Sequence, residues 1–235
     1  MSPPPPIGWS SPSDLELRYT GQLHADLDRL PRLATLIKQE RARREDLVLL
    51  DTGDFSAGHL VSDQFAGKPV AEVMNHLDYD AAVLGRRDRQ WGEEALRKLE
   101  NTAGFPFLAA NWQGFQGYVD LNRSGVSLRV IGLAWPEPPQ GVEVLDPKAA
   151  LRLALEGSSD DQVVVVLSQL GYELDRQLAQ GHELHVLLEG VPYEGFSQVT
   201  TVAETLLVPA CSGAGHLGSL RLELAGATND EEHRG

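Results

Sequence analysis

The chain has almost no cysteine and no long apolar segment. Its 235 residues contain a single cysteine, Cys211, so an intramolecular disulfide cannot form and oxidative cross-linking plays no part in the fold. Cys211 has no obvious acid–base partner nearby in the sequence, and we interpret it as a small hydrophobic residue rather than a nucleophile. No apolar run approaches the roughly 20 residues of a membrane-spanning helix, so we expect no membrane span.

Basic residues are also in short supply. The chain has 20 Lys and Arg residues against 34 Asp and Glu residues, a formal net charge of −14 at pH 7. A surface of this sign repels phosphate backbones, so we expect no general nucleic-acid binding.

The two ends of the chain differ in composition from the rest. The N-terminal sequence MSPPPPIGWSSPSD has neither a positively charged segment nor an apolar one, so we expect no signal peptide and a cytoplasmic protein. Four consecutive prolines favour an extended tail over residues 1–13, and the polar end predicts a second tail over 226–235. No linker divides the remainder, so we expect a single domain over 14–225.

The first half of the chain alternates strand and helix patterns. Residues 15–20, 47–51 and 81–85 are typical of strands, and the continuous apolar run LVLLD suggests a strand that is covered on both faces. Between them, residues 29–44 and 68–77 place apolar side chains at helical spacing. This alternation predicts an α/β protein.

Strands dominate the second half. The segment around 122–125 predicts a hairpin turn, and the run QVVVVLS at 162–168 is the strongest buried-strand pattern in the chain. Helices are predicted at 148–157 and 172–181. We therefore expect mixed rather than purely parallel sheets.

Binding sites of α/β proteins gather beyond the carboxyl ends of the strands. In this chain those loops carry polar residues of the types that bind metals or anions, and one loop, GRRD, carries two adjacent arginines. The candidates, in chain order, are Gln22, His24, Asp54, His59, Arg86, Arg87, Asp88, Gln169, Val191 and Tyr193.

The order of these loops resembles the calcineurin-like metallophosphoesterases, in particular the catalytic domain of the 5'-nucleotidase family. The resemblance covers roughly residues 15–224. It is carried by RLATLIKQERAR, LVLLDTGDFSAGHLVSDQFAGKPVAEVMNHLDYDAAVLG, WGEEALRKLENTAGFPFLAANW, SLRVIGLAWPE and the closing LLVPACSGAGHLGSLRLEL. It implies a four-layer αββα sandwich, with two mixed β-sheets between outer helices. It also implies two divalent metal ions that clamp the phosphoryl oxygens of a substrate.

The resembling family binds its metals through five short motifs, and this chain departs from most of them. The family's Asp-x-His reads Gln22-Leu23-His24, while its Gly-Asp, whose aspartate bridges the two metals, is intact at Asp54. Its Gly-Asn-His-Glu/Asp reads Gly-Arg-Arg-Asp, so Arg86 replaces a metal ligand and Arg87 replaces a phosphate contact. In the last two motifs, the positions of the lost histidines are Gln169, Val191 and Tyr193.

These departures predict a site that cannot hold two metals. Val191 has no ligand atom, Gln22 and Gln169 offer only weak amide oxygens, and Arg86 is always protonated. Two unit charges about 4 Å apart repel by about 4 kcal/mol at an effective dielectric near 20, and a divalent ion beside an arginine is repelled more. We therefore predict a catalytically degenerate domain, a pseudoenzyme, that needs no metal cofactor.

Within this prediction, a guanidinium of Arg86 or Arg87 is expected to pair with Asp54 and replace the missing metal charge. The same arginines, with His24 and His59, are also candidates for holding a phosphate or a nucleotide.

Two alternatives stay open. One is a surviving hydrolase with a single metal or a rebuilt site that uses His24, Asp54, Asp88, His59 and Gln169. The other is an interaction protein with a protein partner, although the sequence offers no partner signature beyond its acidity and its proline-rich tail.

Overall fold

The strands form two sheets whose neighbouring strands are mostly parallel. The computed structural model describes residues 13–44 and 46–224. The first sheet contains β1 (Ser13–Thr20), β2 (Val48–Asp51), β3 (Ala81–Val83), β4 (Phe107–Leu108) and β11 (Gly218–Leu224), in the order β11-β1-β2-β3-β4. Its strands are parallel except for β11, which runs antiparallel to β1.

The second sheet is larger and has an antiparallel strand at each edge. It contains β5 (Tyr118–Arg123), β6 (Val126–Leu133), β7 (Val163–Ser168), β8 (Val186–Glu189), β9 (Thr200–Val202) and β10 (Thr205–Val208), in the order β5-β6-β7-β8-β10-β9. The predicted hairpin joins β5 to β6, and its turn residues Ser124 and Gly125 have φ of 51° and 80°. Such left-handed values suit a two-residue hairpin turn.

Helices cover the outer face of each sheet. They are α1 (Leu30–Arg43), α2 (Leu60–Gln64), α3 (Lys68–His76), α4 (Gly92–Ala103), α5 (Pro147–Leu155) and α6 (Tyr172–Gly181). Buried side chains of α1, α3 and α4 belong to the main core with the first sheet, whereas those of α5 and α6 pack in a second core on the second sheet. The predicted αββα order of two mixed sheets and outer helices is confirmed.

Strand β7 shows why the valine run belongs at the centre of this fold. Val163 and Val165 pack in the main core between the two sheets, whereas Val164 and Val166 pack in the second core against α5 and α6. All four are buried because successive side chains of a strand point to opposite faces of its sheet.

The predicted tails, apart from Ser13 at the start of β1, lie outside the described residues. Within those residues, no helix has both the length and the apolar character that a bilayer crossing requires.

Candidate functional site

The carboxyl ends of parallel strands from both sheets meet at one cavity of about 720 Å³. Loops after β1, β2, β3, β6 and β8 contribute its walls. The lining residues are Gln22, His24, Asp54, Arg86, Arg87, Arg89, Gln90, Trp135, Pro139, Gln140, Val191 and Pro192. Six of them were predicted from the sequence: Gln22, His24, Asp54, Arg86, Arg87 and Val191.

The floor of this cavity is built from strained backbone. Gln22, His24 and Asp54 all have positive φ, at 54°, 48° and 59°. Backbone hydrogen bonds between the two loops hold them there, since the His24 N–H donates to the Asp54 carbonyl at 2.8 Å and the Gln22 N–H donates to Gly53 at 2.9 Å. Left-handed conformations of non-glycine residues cost on the order of 1 kcal/mol or more each and cluster at functional sites.

The side-chain amide of Gln22 lies at the centre of a polar network. Its Nε2 donates to Asp54 Oδ2 at 3.1 Å and to the Gly190 carbonyl at 2.7 Å, and its Oε1 lies 2.9 Å from His24 Nε2. Because Oε1 is an acceptor, His24 Nε2 must carry the proton. The amide therefore links loops of both sheets at the point where the resemblance implied a metal.

The Asp54 carboxylate accepts hydrogen bonds from a backbone N–H and a side-chain amide, and not from a guanidinium. Its Oδ1 accepts from the Arg87 backbone N–H at 2.6 Å, and its Oδ2 accepts from Gln22. The expected pairing of Asp54 with an arginine side chain is wrong, because the loop after β3 presents its main chain to the carboxylate. This close approach needs Gly85, where an added Cβ would lie 2.4 Å from Asp54 Oδ1.

Asp88 belongs to the support of the site and not to the cavity lining. It is fully buried, and its carboxylate accepts from the backbone N–H groups of Asp54, Ser56 and Gly85 at 2.9 Å and from the Ser56 hydroxyl at 2.6 Å. Burial and the nearby Asp54 charge raise the pKa of Asp88. These bonds tie the loop after β2 to the loop after β3, so the predicted catalytic position of Asp88 is occupied by a structural carboxylate.

A second buried carboxylate lies beneath the same loops. Asp51 accepts from the Thr20 hydroxyl at 2.6 Å and from the Gly53 N–H at 2.8 Å, and Thr20 also contacts the Tyr79 hydroxyl at 3.0 Å. Burial is the main cause that raises the pKa of Asp51 to about 7. With three carboxylates so close, charge repulsion favours cationic or N–H partners at the cavity floor.

The two arginines of GRRD make different contacts at the cavity. The Arg86 guanidinium lies over the ring of Trp135, 5.5 Å from its centroid. Arg87 lies beside His24, where burial and the arginine charge lower the pKa of the imidazole despite the opposing effect of Asp54. His24 is therefore neutral at pH 7.

The arginines that line the cavity differ in whether a carboxylate pairs with them. Arg89 pairs with Glu137 at 2.9 Å, whereas within residues 13–44 and 46–224 neither Arg86 nor Arg87 forms an ion pair with a carboxylate. Two uncompensated guanidinium groups thus line one cavity of an otherwise acidic chain.

Three further predicted residues do not line the cavity. Gln169 is fully buried below it, donates to the Thr52 carbonyl and packs under Gly53. Tyr193 is 48% exposed and stacks on Tyr172, with ring centroids 4.8 Å apart. His59 caps α2, where its Nδ1 accepts from the Val61 N–H at 3.3 Å. Its predicted part in anion binding has no support from the cavity lining.

Six lining residues were missed, of which Trp135, Pro139 and Gln140 come from one segment. They follow β6, whose carboxyl end lies at the same edge as those of β7 and β8. The strand-end rule that selected the other loops also applies to β6 and would have identified Trp135.

Comparison with known proteins supports the fold and the family. No protein-family model matches the chain. The chain is 27% identical over 191 residues to a probable 5'-nucleotidase of Treponema pallidum, an alignment that covers 72% of this chain and 32% of that protein. A 5'-nucleotidase precursor from Thermus thermophilus is similar in structure, with a TM-score of 0.75 and 25% identity over 89% of this chain and 51% of that one. A calcineurin-like phosphoesterase from Bacillus subtilis shares the fold, with a TM-score of 0.72, 21% identity and coverage of 92% and 87%.

The fold is that of the calcineurin-like phosphoesterases. Within that superfamily, the comparisons support a relationship to the 5'-nucleotidases. It spans about a third of the length of the curated relatives that it matches.

These relatives correct the expectation of no cofactor. The homologues of this chain are metal-dependent phosphoesterases that need divalent metals, so the prediction that no metal cofactor is expected is contradicted. A divalent ion is therefore the cofactor to test for.

The donor set of this chain does not fit the family's pair of ions. The cavity lining offers one carboxylate, Asp54, and one imidazole, His24, and within the described ranges no group of three or more His, Cys, Asp or Glu residues is arranged to hold a metal. Both Asp54 oxygens already accept N–H bonds, and His24 Nε2 faces the Gln22 carbonyl oxygen. One carboxylate, one imidazole and one amide are fewer strong ligands than a pair of divalent ions requires, and N–H donors share the Asp54 oxygens.

Proposed function

We propose that this domain is a catalytically degenerate member of its family that binds phosphate esters through guanidinium groups instead of a two-metal centre. The observation that carries the proposal is the pair of uncompensated arginines, Arg86 and Arg87, beside the Gln22–Asp54 network. A guanidinium presents several N–H donors and a permanent charge to a phosphate, which makes arginine the usual residue for bidentate anion binding.

The electrostatic balance of the cavity supports an anionic ligand. Two arginine charges face one Asp54 charge, while His24 is neutral at pH 7 and its N–H is taken up by Gln22. The cavity therefore carries a net positive charge in a chain of formal charge −14. Nucleotides are natural candidates because the relatives are named as 5'-nucleotidases.

Calorimetric titration with inorganic phosphate and with AMP, in EDTA, tests the proposal. We expect millimolar or tighter binding, weakened about tenfold by Arg87→Gln because a charge-assisted hydrogen bond contributes about 1.5–3 kcal/mol. Arg89→Gln is the matched control, since its guanidinium lines the same cavity but is neutralised by Glu137. No heat at millimolar ligand, or equal losses in the two variants, would refute the proposal.

A second candidate is a hydrolase that works with a single ion. It is favoured by the contact of three ligand-type side chains, His24, Gln22 and Asp54, on strained backbone at the cavity floor. Turnover of AMP that requires Mn²⁺ and is lost in Asp54→Asn would establish this candidate and reject the degenerate one.

A further inference from the structure

Part of the cavity wall is apolar, and a bound phosphate group alone would not cover it. Trp135 and Pro139 line it after β6, and Val191 and Pro192 line it after β8. The volume of about 720 Å³ is in the range of pockets for small organic molecules and far exceeds one phosphate group. A ligand that fits both sides carries an apolar group next to its anion.

The wall at Trp135 is hydrogen-bonded to the loop that carries the two arginines. The Trp135 N–H donates to the Leu84 carbonyl at 3.2 Å, two residues before Arg86, and the Trp135 carbonyl accepts from the Trp112 indole at 2.8 Å. Arg86 then lies over the Trp135 ring. These bonds join the segment after β6 to the loop after β3, so the aromatic ring and the guanidinium lie next to each other at the cavity.

The wall after β8 is apolar at a position where the resembling family has a metal-binding histidine. Val191 follows Gly190 directly after β8. A Cβ added at Gly190 would lie 2.0 Å from the Thr52 carbonyl oxygen, so this turn lies close against the loop after β2. Val191 therefore stands beside the Gln22–Asp54 network with no donor or acceptor in its side chain. Burial of a ligand's apolar surface here is favourable, whereas a polar group would lose its water.

We propose that the ligand of this cavity is an amphiphilic anion, namely a phosphomonoester with an aryl or alkyl group on the ester oxygen. The anion binds at Arg86 and Arg87, and the apolar group lies against the surface to which Trp135 and Val191 contribute. This inference rests on the proposed anion-binding function and adds the chemical class of the group that the anion carries.

Titration calorimetry with three probes, inorganic phosphate, glycerol 3-phosphate and phenyl phosphate, tests the inference. We expect phenyl phosphate to bind about tenfold more tightly than either of the other two, as burial of part of a phenyl ring implies. If all three probes bind with equal affinity, the inference is overturned and the proposed function still stands. Failure of all three probes to bind would refute the proposed function itself.

Variants of the two walls sharpen the result. Trp135→Ala and Val191→Ser should each reduce the ratio of phenyl phosphate to phosphate affinity, to about twofold for the tryptophan and about fivefold for the valine. Val191 lies on a half-buried loop, so its variant keeps the test valid if Trp135→Ala does not fold. Leu153→Ser, at an exposed position of α5 outside the cavity, is the control and should keep the tenfold ratio. An unchanged ratio in the Val191 variant would contradict the proposed position of the apolar group.

Discussion

The loops of the first sheet and those of the second sheet bring different kinds of side chain to the cavity. On the first sheet, His24 and Asp54 keep ligand side chains, and the arginines bring positive charge. On the second sheet, the Val191 side chain has no polar atom, and Gln169 is buried below the cavity. The first-sheet loops therefore present charged and ligand-type groups to the cavity, whereas Val191 on the second-sheet side presents an apolar side chain.

The largest expected effect is on stability, and it concerns Asp88, which supports the first-sheet loops from below. Asp88→Ala would leave three buried backbone N–H groups without an acceptor, and we expect a loss of about 3 kcal/mol or more in the free energy of unfolding. Urea denaturation measures it. Asp88→Asn, which keeps one acceptor oxygen, should lose less. A loss below about 1 kcal/mol in the alanine variant would show that these loops do not depend on the carboxylate.

Beneath the second-sheet loops lies a buried acid pair that predicts a pH effect. Glu189 at the end of β8 is fully buried, and its carboxylate oxygens have no hydrogen-bond partner within the described residues. Asp175 of α6 lies nearby and accepts a hydrogen bond from the Ser168 hydroxyl. Burial, and then the Asp175 charge, raise the pKa of Glu189 to about 8, and burial raises the pKa of Asp175 to about 7.

The sign of the effect follows from proton uptake. The folded state holds these protons at a pH where the unfolded chain has released them, so stability falls as pH rises from about 4.5, the ordinary value for Glu, to about 8. Between pH 5 and pH 8.5 the wild type should lose on the order of 2 kcal/mol more than Glu189→Gln. Urea denaturation at the two pH values measures the difference, with the exposed Glu194→Gln as control. Equal slopes in wild type and Glu189→Gln would contradict the assignment.

The smallest expected effect concerns Tyr193, a predicted site residue on the second-sheet side. Its ring stacks on Tyr172 outside the cavity, so Tyr193→Ser should cost about 0.5–1.5 kcal/mol of stability and leave phosphate affinity unchanged. Thermal unfolding and phosphate calorimetry on the same sample check both parts. A clear change in phosphate affinity would mean that Tyr193 reaches the cavity after all.

Much of the fold was accessible from sequence because its patterns are local. The valine run of β7 and the helical spacing of α1 reflect burial on two faces or on one, and both elements form as predicted. Strand ends could likewise be assigned, which placed His24, Asp54 and both arginines at one cavity.

The remaining features depend on tertiary structure that no spacing encodes. The Asp88 carboxylate is held inside the protein by three backbone N–H groups of the loops after β2 and β3, and the Tyr193 ring stacks on Tyr172 outside the cavity. Whether Arg87 meets Asp54 through its guanidinium or its backbone depends on the close approach that Gly85 permits. The sequence identified these residues as a group but could not assign their individual orientations.

Phosphate calorimetry on EDTA-treated protein, repeated after addition of Mn²⁺, tests the central claim most directly. If the arginines hold the anion, the EDTA-treated protein binds phosphate, and Arg87→Gln weakens that binding about tenfold. Binding that occurs only after Mn²⁺ is added, and that Arg87→Gln does not change, would contradict the account and assign the anion site to a metal.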